Sequence, residues 1–159
     1  MNLPDEAATE ALGRALAEAV PARRSAPLVL YLMGELGAGK TTLARGLLRQ
    51  LGVSGTIRSP SYTLVEPYDT PRVHVLHADL YRLQHADEVL QLGLTELTPD
   101  ALLLVEWPEH GRPRLPPPDL IVHLAHAAAT RTAQLEACTE VGRHWLGRLE
   151  GFENRSVTH

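Results

Sequence analysis

The spacing of apolar residues along the chain changes from segment to segment, and each rhythm predicts an element. From Asp5 to about Val20, Ala8, Leu12, Ala15, Leu16 and Ala19 fall on one helical face, with Asp5 placed to cap the first turn. Leu28 to Met33 is a short continuous apolar run, read as a buried strand. Thr42 to Leu51 returns to helical spacing and stops at Gly52. After the turn-like Arg58-Ser59-Pro60-Ser61, Tyr62–Tyr68 and Val73–Leu76 read as strands joined by Asp69-Thr70-Pro71-Arg72, an antiparallel hairpin. A short helix is expected near Ala86–Gly93. The run Ala101-Leu102-Leu103-Leu104-Val105 has no polar side, as expected of a strand buried on both faces of a parallel sheet. Arg112–Pro118 is a proline-rich connector, Leu120–Leu124 and Thr132–Ala137 a further pair of strands, and Val141–Leu149 a closing helix with Trp145 in the core. Residues 1–150 thus read as one domain, and 151–159, which carry no periodic pattern, as a flexible tail.

Between the first predicted strand and the second predicted helix stands Gly34-Glu35-Leu36-Gly37-Ala38-Gly39-Lys40-Thr41, a complete G-x-x-x-x-G-K-[ST] phosphate-binding loop in the strand–loop–helix context it requires. Glycines at 34, 37 and 39 let successive backbone N–H groups face an anion, and the helix N-terminus adds partial positive charge. Lys40 is the only lysine, every other one of the 15 Lys and Arg residues being arginine. An ammonium on a flexible stem reaches between phosphates as a point charge, whereas a guanidinium demands fork geometry. The Thr41 hydroxyl is the group that such loops place on Mg²⁺.

Composition narrows the setting. At 159 residues with 44% hydrophobic content, the chain suits a single core. The lone Cys138 excludes an intramolecular disulfide and a cysteine-based zinc site, and it reads as a small buried residue. The N-terminus lacks the apolar core of a signal peptide and no apolar run reaches membrane-span length, so a cytoplasmic protein is expected. A formal net charge of −4 opposes unaided gripping of a nucleic-acid backbone. Any nucleic-acid role is then expected to run through a partner.

A nucleotide hydrolase also needs a carboxylate for Mg²⁺ at the end of an apolar strand. Glu106 follows Leu102–Val105, and Asp79 comes three residues after the apolar end of Val73-His74-Val75-Leu76; the pattern alone does not choose between them. His74 and His77, like His123 and His126, are three apart in strand-like segments, a spacing that points them to opposite faces and argues against a metal site. Trp107, beside Glu106, suits a strand-end core position or a place near the nucleotide or a partner.

Four segments taken in order are more specific than the loop alone: Gly34–Thr42, Ser59-Pro60-Ser61-Tyr62-Thr63-Leu64-Val65-Glu66-Pro67-Tyr68, His77-Ala78-Asp79-Leu80-Tyr81-Arg82-Leu83, and Leu104-Val105-Glu106-Trp107-Pro108-Glu109. Together they resemble the bacterial TsaE (YjeE) family, the ATPase component of tRNA threonylcarbamoyladenosine biosynthesis, over about Leu3–Leu149. The resemblance implies an α/β fold, a P-loop NTPase-like three-layer domain with a mixed, mostly parallel central sheet. It implies ATP and Mg²⁺ as cofactors. Leu36, Gly37, Ala38, Gly39, Lys40, Thr41 and Thr42 would bind the phosphates, with Lys40 on the β/γ oxygens and Thr41 and Glu106 on Mg²⁺. Asp79 would sit at the catalytic centre, ordering the magnesium water or the attacking water. Ser59–Thr63 matches a switch-like loop, in which Ser61 replaces the family's usual threonine and keeps its hydroxyl. Thr9 and Arg131 align with positions near the base. The implied partners are the TsaD and TsaB proteins, with tRNA contacted indirectly.

Two other readings fit a phosphate loop. A guanine-reading N-K-x-D element cannot exist here, because Lys40 is the only lysine. A small-molecule kinase could use Asp79 as a base, but it needs an arginine-bearing lid, for which the chain offers Arg112 and Arg114 without a motif to place them. An ATP-dependent assembly module, in which hydrolysis is incidental, would use the same loop.

Overall fold

The computed structural model describes residues 1–22 and 24–156, with side chains of 151–156 outside the description. Among the described residues seven strands, β1 (Asn2–Leu3), β2 (Leu28–Met33), β3 (Val65–Asp69), β4 (His74–Asp79), β5 (Ala101–Glu106), β6 (Leu120–Ala127) and β7 (Thr130–Ala137), form one sheet in the order β1-β7-β6-β2-β5-β4-β3. β2 runs parallel to β5 and β6, and β4 parallel to β5, so the centre is parallel. The flanking pairs β3–β4, β6–β7 and β1–β7 are antiparallel. The expected mixed sheet, parallel in its centre, is what forms.

One face is covered by the α-helices α1 (Glu6–Glu18), α2 (Lys40–Leu51) and α3 (Glu140–Ser156). Asp5 caps α1 by accepting from the Ala8 N–H at 2.8 Å. Gly52, with φ of 111°, ends α2 in the left-handed region, satisfying carbonyls that a helix end leaves over. Leu30, Leu32, Leu102, Leu104 and Val122 meet Leu16, Leu43, Leu47 and Trp145 on this side. Trp145 is fully buried, and its indole N–H donates to Leu16 O at 3.0 Å. The opposite face carries Val29, Tyr31, Leu103 and Val105, and is covered by Leu80, Leu83, Val89, Leu94 and Leu115. That cover is an irregular segment with a 3₁₀ turn at Ala86–Gln91, where the sequence predicts a short helix.

Four differences are local, and for β3 and β4 the cause is visible. β3 starts at Val65, three residues after the expected Tyr62, because Leu64 takes φ of 66° and turns the chain. β4 continues past Leu76 to Asp79, since its polar His77 and Asp79 are buried against other polar groups. Cys138 is exposed, contrary to the expectation of a buried residue, in the connection between β7 and α3. α3 runs to Ser156, beyond the predicted Leu149. The expectation of a flexible tail over 151–159 falls on residues whose side chains, and beyond 156 whose backbone, lie outside the described residues.

Candidate functional site

β2 ends at Met33 and α2 begins at Lys40, and the six residues between them fold over the carboxyl end of the sheet. Here neighbouring strands leave in different directions, the place where open α/β sheets hold ligands. Gly34 has φ of 154°, and a Cβ there would stand 2.5 Å from Leu124 O, so only glycine lets the loop pass β6. Gly39, with φ of 109°, is the N-cap of α2 and makes no side-chain cap; backbone N–H groups of the first turn are therefore free to meet an anion.

A cavity of about 540 Å³ opens at this point. Leu36, Gly37, Gly39, Lys40, Thr41 and Thr42 form one wall, Asp79 and Glu106 the floor, and Ser59, Ser61, Tyr81, Arg82, Trp107 and Arg131 the rim. Nine of the residues expected at a nucleotide site thus converge. Two do not reach the wall: Ala38 is buried inside the loop, and Thr9 is fully buried on α1, its Cγ2 3.3 Å from where a Cβ on Gly39 would stand. Arg131 packs over the same glycine from β7.

Asp79 and Glu106 are register partners at the ends of adjacent parallel strands, 5% and 2% exposed. Two carboxylates buried side by side repel each other and lose hydration, so the arrangement calls for cations and donors. The donors are present. Glu106 Oε1 accepts from the Thr41 hydroxyl at 2.9 Å, and its Oε2 lies 2.7 Å from His77 Nε2. Asp79 Oδ1 accepts from the Tyr81 N–H at 3.0 Å, and Oδ2 from the Ser59 hydroxyl. Ser59 thereby ties the Ser59–Thr63 loop to the floor of the site.

Lys40 supplies the resident cation. Its ammonium donates to Gly34 O, and to Glu35 O at 2.9 Å, and lies 4.2 Å from the Trp107 ring centroid. Burial lowers its pKa, while Glu106, Glu109 and Asp79 pull the other way. Trp107 itself sits at φ of 57°, just ahead of Pro108, and packs between Tyr81 and His110 with centroids 5.0 and 5.4 Å away. Leu64, whose carbonyl accepts from the Asp79 N–H at 2.9 Å, and Trp107, next to Glu106, are both non-glycine residues in the left-handed region.

Among the described residues no group of three or more His, Cys, Asp or Glu could hold a metal by itself. The donor set that exists, a hydroxyl and two carboxylates, is hard oxygen, the chemistry of Mg²⁺ shared with a substrate's phosphates. The residues fit that ion. Arg112 stacks 5.0 Å over the Tyr31 ring and Arg114 pairs with Asp87 at 2.8 Å, so neither lines the cavity. The histidines separate as their spacing predicts: His74 meets Asp69, whereas His77 is buried against Glu106. Sequence reasoning set His77 aside after pairing it with His74. The informative partner was Asp79, two residues on and so on the same strand face.

A profile for the family described as "Threonylcarbamoyl adenosine biosynthesis protein TsaE" matches residues 3–134. The curated "tRNA threonylcarbamoyladenosine biosynthesis protein TsaE" of Haemophilus influenzae is 37% identical over 144 residues, covering 89% of this chain and 91% of that protein. The Synechocystis protein of the same name is 42% identical over 118 residues, 72% of each chain. The crystal structure of Bacillus subtilus YdiB superposes with a TM-score of 0.75 at 24% identity, covering 97% of this chain and 95% of that one, a shared fold. No helix among the described residues is long and apolar enough to cross a membrane.

Proposed function

The chain belongs to the TsaE family, and from that premise we propose that it is the Mg²⁺-dependent ATP-binding and ATP-hydrolysing subunit of tRNA threonylcarbamoyladenosine biosynthesis, acting in the cytoplasm through the TsaD and TsaB proteins. The observation that carries the reading is the meeting of Lys40, Thr41, Asp79 and Glu106 around one cavity at the phosphate loop.

In this reading residues 1–150 act as one ATPase domain. Loop N–H groups from Leu36 to Thr42 bind the phosphates, and the Lys40 ammonium exchanges its carbonyl acceptors for β/γ-phosphate oxygens. Thr41 and Glu106 hold Mg²⁺, which when bound neutralises charge on those oxygens. Asp79, with both oxygens engaged by Tyr81 and Ser59, orients the attacking water. The water oxygen bonds to the γ-phosphorus, the bond to the ADP oxygen breaks with its electron pair left on ADP, the water proton passes to an oxygen of the phosphate formed, and fixed donors stabilise the charge that moves. Arg131, with Thr9 behind the glycine turn, borders the base. The exposed loop carrying Tyr62 is the segment a partner would order, so turnover by the isolated chain is slow.

A kinase reading finds less support, since Arg112 and Arg114, the arginines the sequence offers for a lid, are held by Tyr31 and Asp87. The test is ATP hydrolysis by the full chain, alone and with TsaD and TsaB, beside Lys40→Ala. Partners are expected to stimulate turnover at least tenfold, and Lys40→Ala to abolish it. Phosphate passed to a small acceptor would sink the hydrolase. Partner-dependent tRNA modification that survives Glu106→Gln without hydrolysis would make this an assembly module.

A further inference from the structure

His77 is fully buried, and the mechanism above leaves it no task. Its Nε2 lies 2.7 Å from Glu106 Oε2, while Nδ1 is buried with no hydrogen-bond partner among the described residues. An ionised carboxylate only accepts, so the ring nitrogen facing it carries the proton. A proton on Nδ1 as well would bury a second, unanswered donor; the pairing therefore favours the tautomer with Nε2–H and a bare Nδ1. The other Glu106 oxygen accepts from Thr41, the residue that begins the first turn of α2 after Lys40. Each carboxylate oxygen has its own donor, and the two donors differ: the imidazole is fixed within β4, whereas the hydroxyl faces the cavity.

We propose that His77 is a positioning residue for the cation-binding carboxylate, its Nε2–H holding Glu106 Oε2 so that Oε1 is the oxygen presented with Thr41 to the ion. This rests on the Mg²⁺-nucleotide reading above. Burying an imidazole with one unsatisfied nitrogen costs stability, and a leucine of similar volume would fill the space without that cost. The price is explained if the hydrogen bond orients a ligand. Partners of metal ligands typically change metal affinity or activity 10- to 100-fold when removed.

The experiment measures ADP binding to the full chain by calorimetry across a Mg²⁺ series and in its absence, for wild type, His77→Leu and His77→Gln. The leucine is expected to raise the Mg²⁺ needed for half-maximal enhancement about tenfold or more while metal-free ADP affinity stays within about twofold. Glutamine, which keeps a donor near the Nε2 position, is expected to restore the requirement to within about threefold. A leucine variant with an unchanged Mg²⁺ requirement, or with equal losses with and without Mg²⁺, overturns the proposal. If His77→Leu does not fold, ¹⁵N-imidazole spectra of the wild type decide. A proton on Nε2 whose signal moves with Mg²⁺ and ADP, and not with ADP alone, supports the assignment; a proton on Nδ1 overturns it. Wild-type ADP affinity indifferent to Mg²⁺ would fell the functional reading and this inference together. An altered Mg²⁺ series confined to wild type against leucine separates the two.

Discussion

Lys40 is 5% exposed, and desolvation holds its pKa below the ordinary 10.5 despite the attraction of Glu106, Glu109 and Asp79. A basic group whose pKa falls on folding binds fewer protons in the native chain than in the unfolded one between the two values. Native stability therefore rises with pH through that interval, and the burial penalty is complete below it. Lys40→Met removes the titration. The stability of wild type relative to Lys40→Met is expected to improve as pH is raised from neutrality toward 10.5, measured by urea denaturation of both proteins. A difference that stays flat or moves the other way would mean that the surrounding carboxylates outweigh burial. The phosphate-loop residues were legible in the sequence because their chemistry is local: spacing alone places Lys40 and Thr41 at a strand–helix junction. Asp79 and Glu106 were legible only as candidates, since what joins them is the register of β4 and β5. Trp107 was legible as one of two alternatives, core or site, whereas Tyr81 and Arg82 at the rim and the bond from Ser59 to Asp79 depend on loop geometry that periodicity does not encode.

Two elements set the position of the phosphate loop, β2 behind it and α2 ahead, and α2 is held by α1 through glycine contacts. A Cβ on Gly46 would be driven into Glu10 O and lie 2.9 Å from Glu10 Cα, and one on Gly13 would be driven into Leu43 O and lie 2.8 Å from Leu47 N. All of these neighbours are backbone, so relief requires moving a whole helix. Gly46→Ala is expected to destabilise by about 2 kcal/mol, overpacking outweighing the helix propensity that alanine adds. The same substitution at Gly147 in α3, where no atom of the described residues lies within 4 Å, is expected to stabilise by about 0.5–1 kcal/mol. Chemical denaturation of the two variants checks both signs, and a stabilised Gly46→Ala would show that the helices are not in close register. These contacts also explain an incomplete reading of α1. Its buried stripe is Thr9, Leu12, Gly13, Leu16 and Ala17, shifted from the predicted apolar face toward the glycine that admits α2. A hydrophobic pattern finds where side chains pack and passes over a helix contact made by the lack of one. β4 was read short for the related reason that its last buried residues, His77 and Asp79, are polar.

For the molecule as a whole, the apolar groups on both sheet faces belong to the same strands: Leu102 and Leu104 of β5 face the helices, and Leu103 and Val105 face the irregular cover. Neither layer can detach without exposing the other side of a shared strand, so residues 1–150 are expected to unfold in one transition. The proposed site spans the ends of β2, β4 and β5, and its ligand would join elements far apart in sequence. Ligand that binds only the native chain stabilises it by RT ln(1 + [L]/Kd), about 2.7 kcal/mol at a hundredfold excess over Kd. At this chain length that increment corresponds to a rise in Tm of roughly 5–10 °C. Calorimetric melting with ADP and Mg²⁺ is therefore expected to show a single peak moved up by that amount. Adding EDTA should return most of the shift while leaving the unliganded Tm unchanged, because the ion is held jointly by phosphate and by Thr41 and Glu106. Lys40→Ala should lose the shift and keep the single peak. A splitting of the peak would place the site in a subregion that folds by itself, and a full shift in EDTA would remove Mg²⁺ from the reading while leaving nucleotide binding in place.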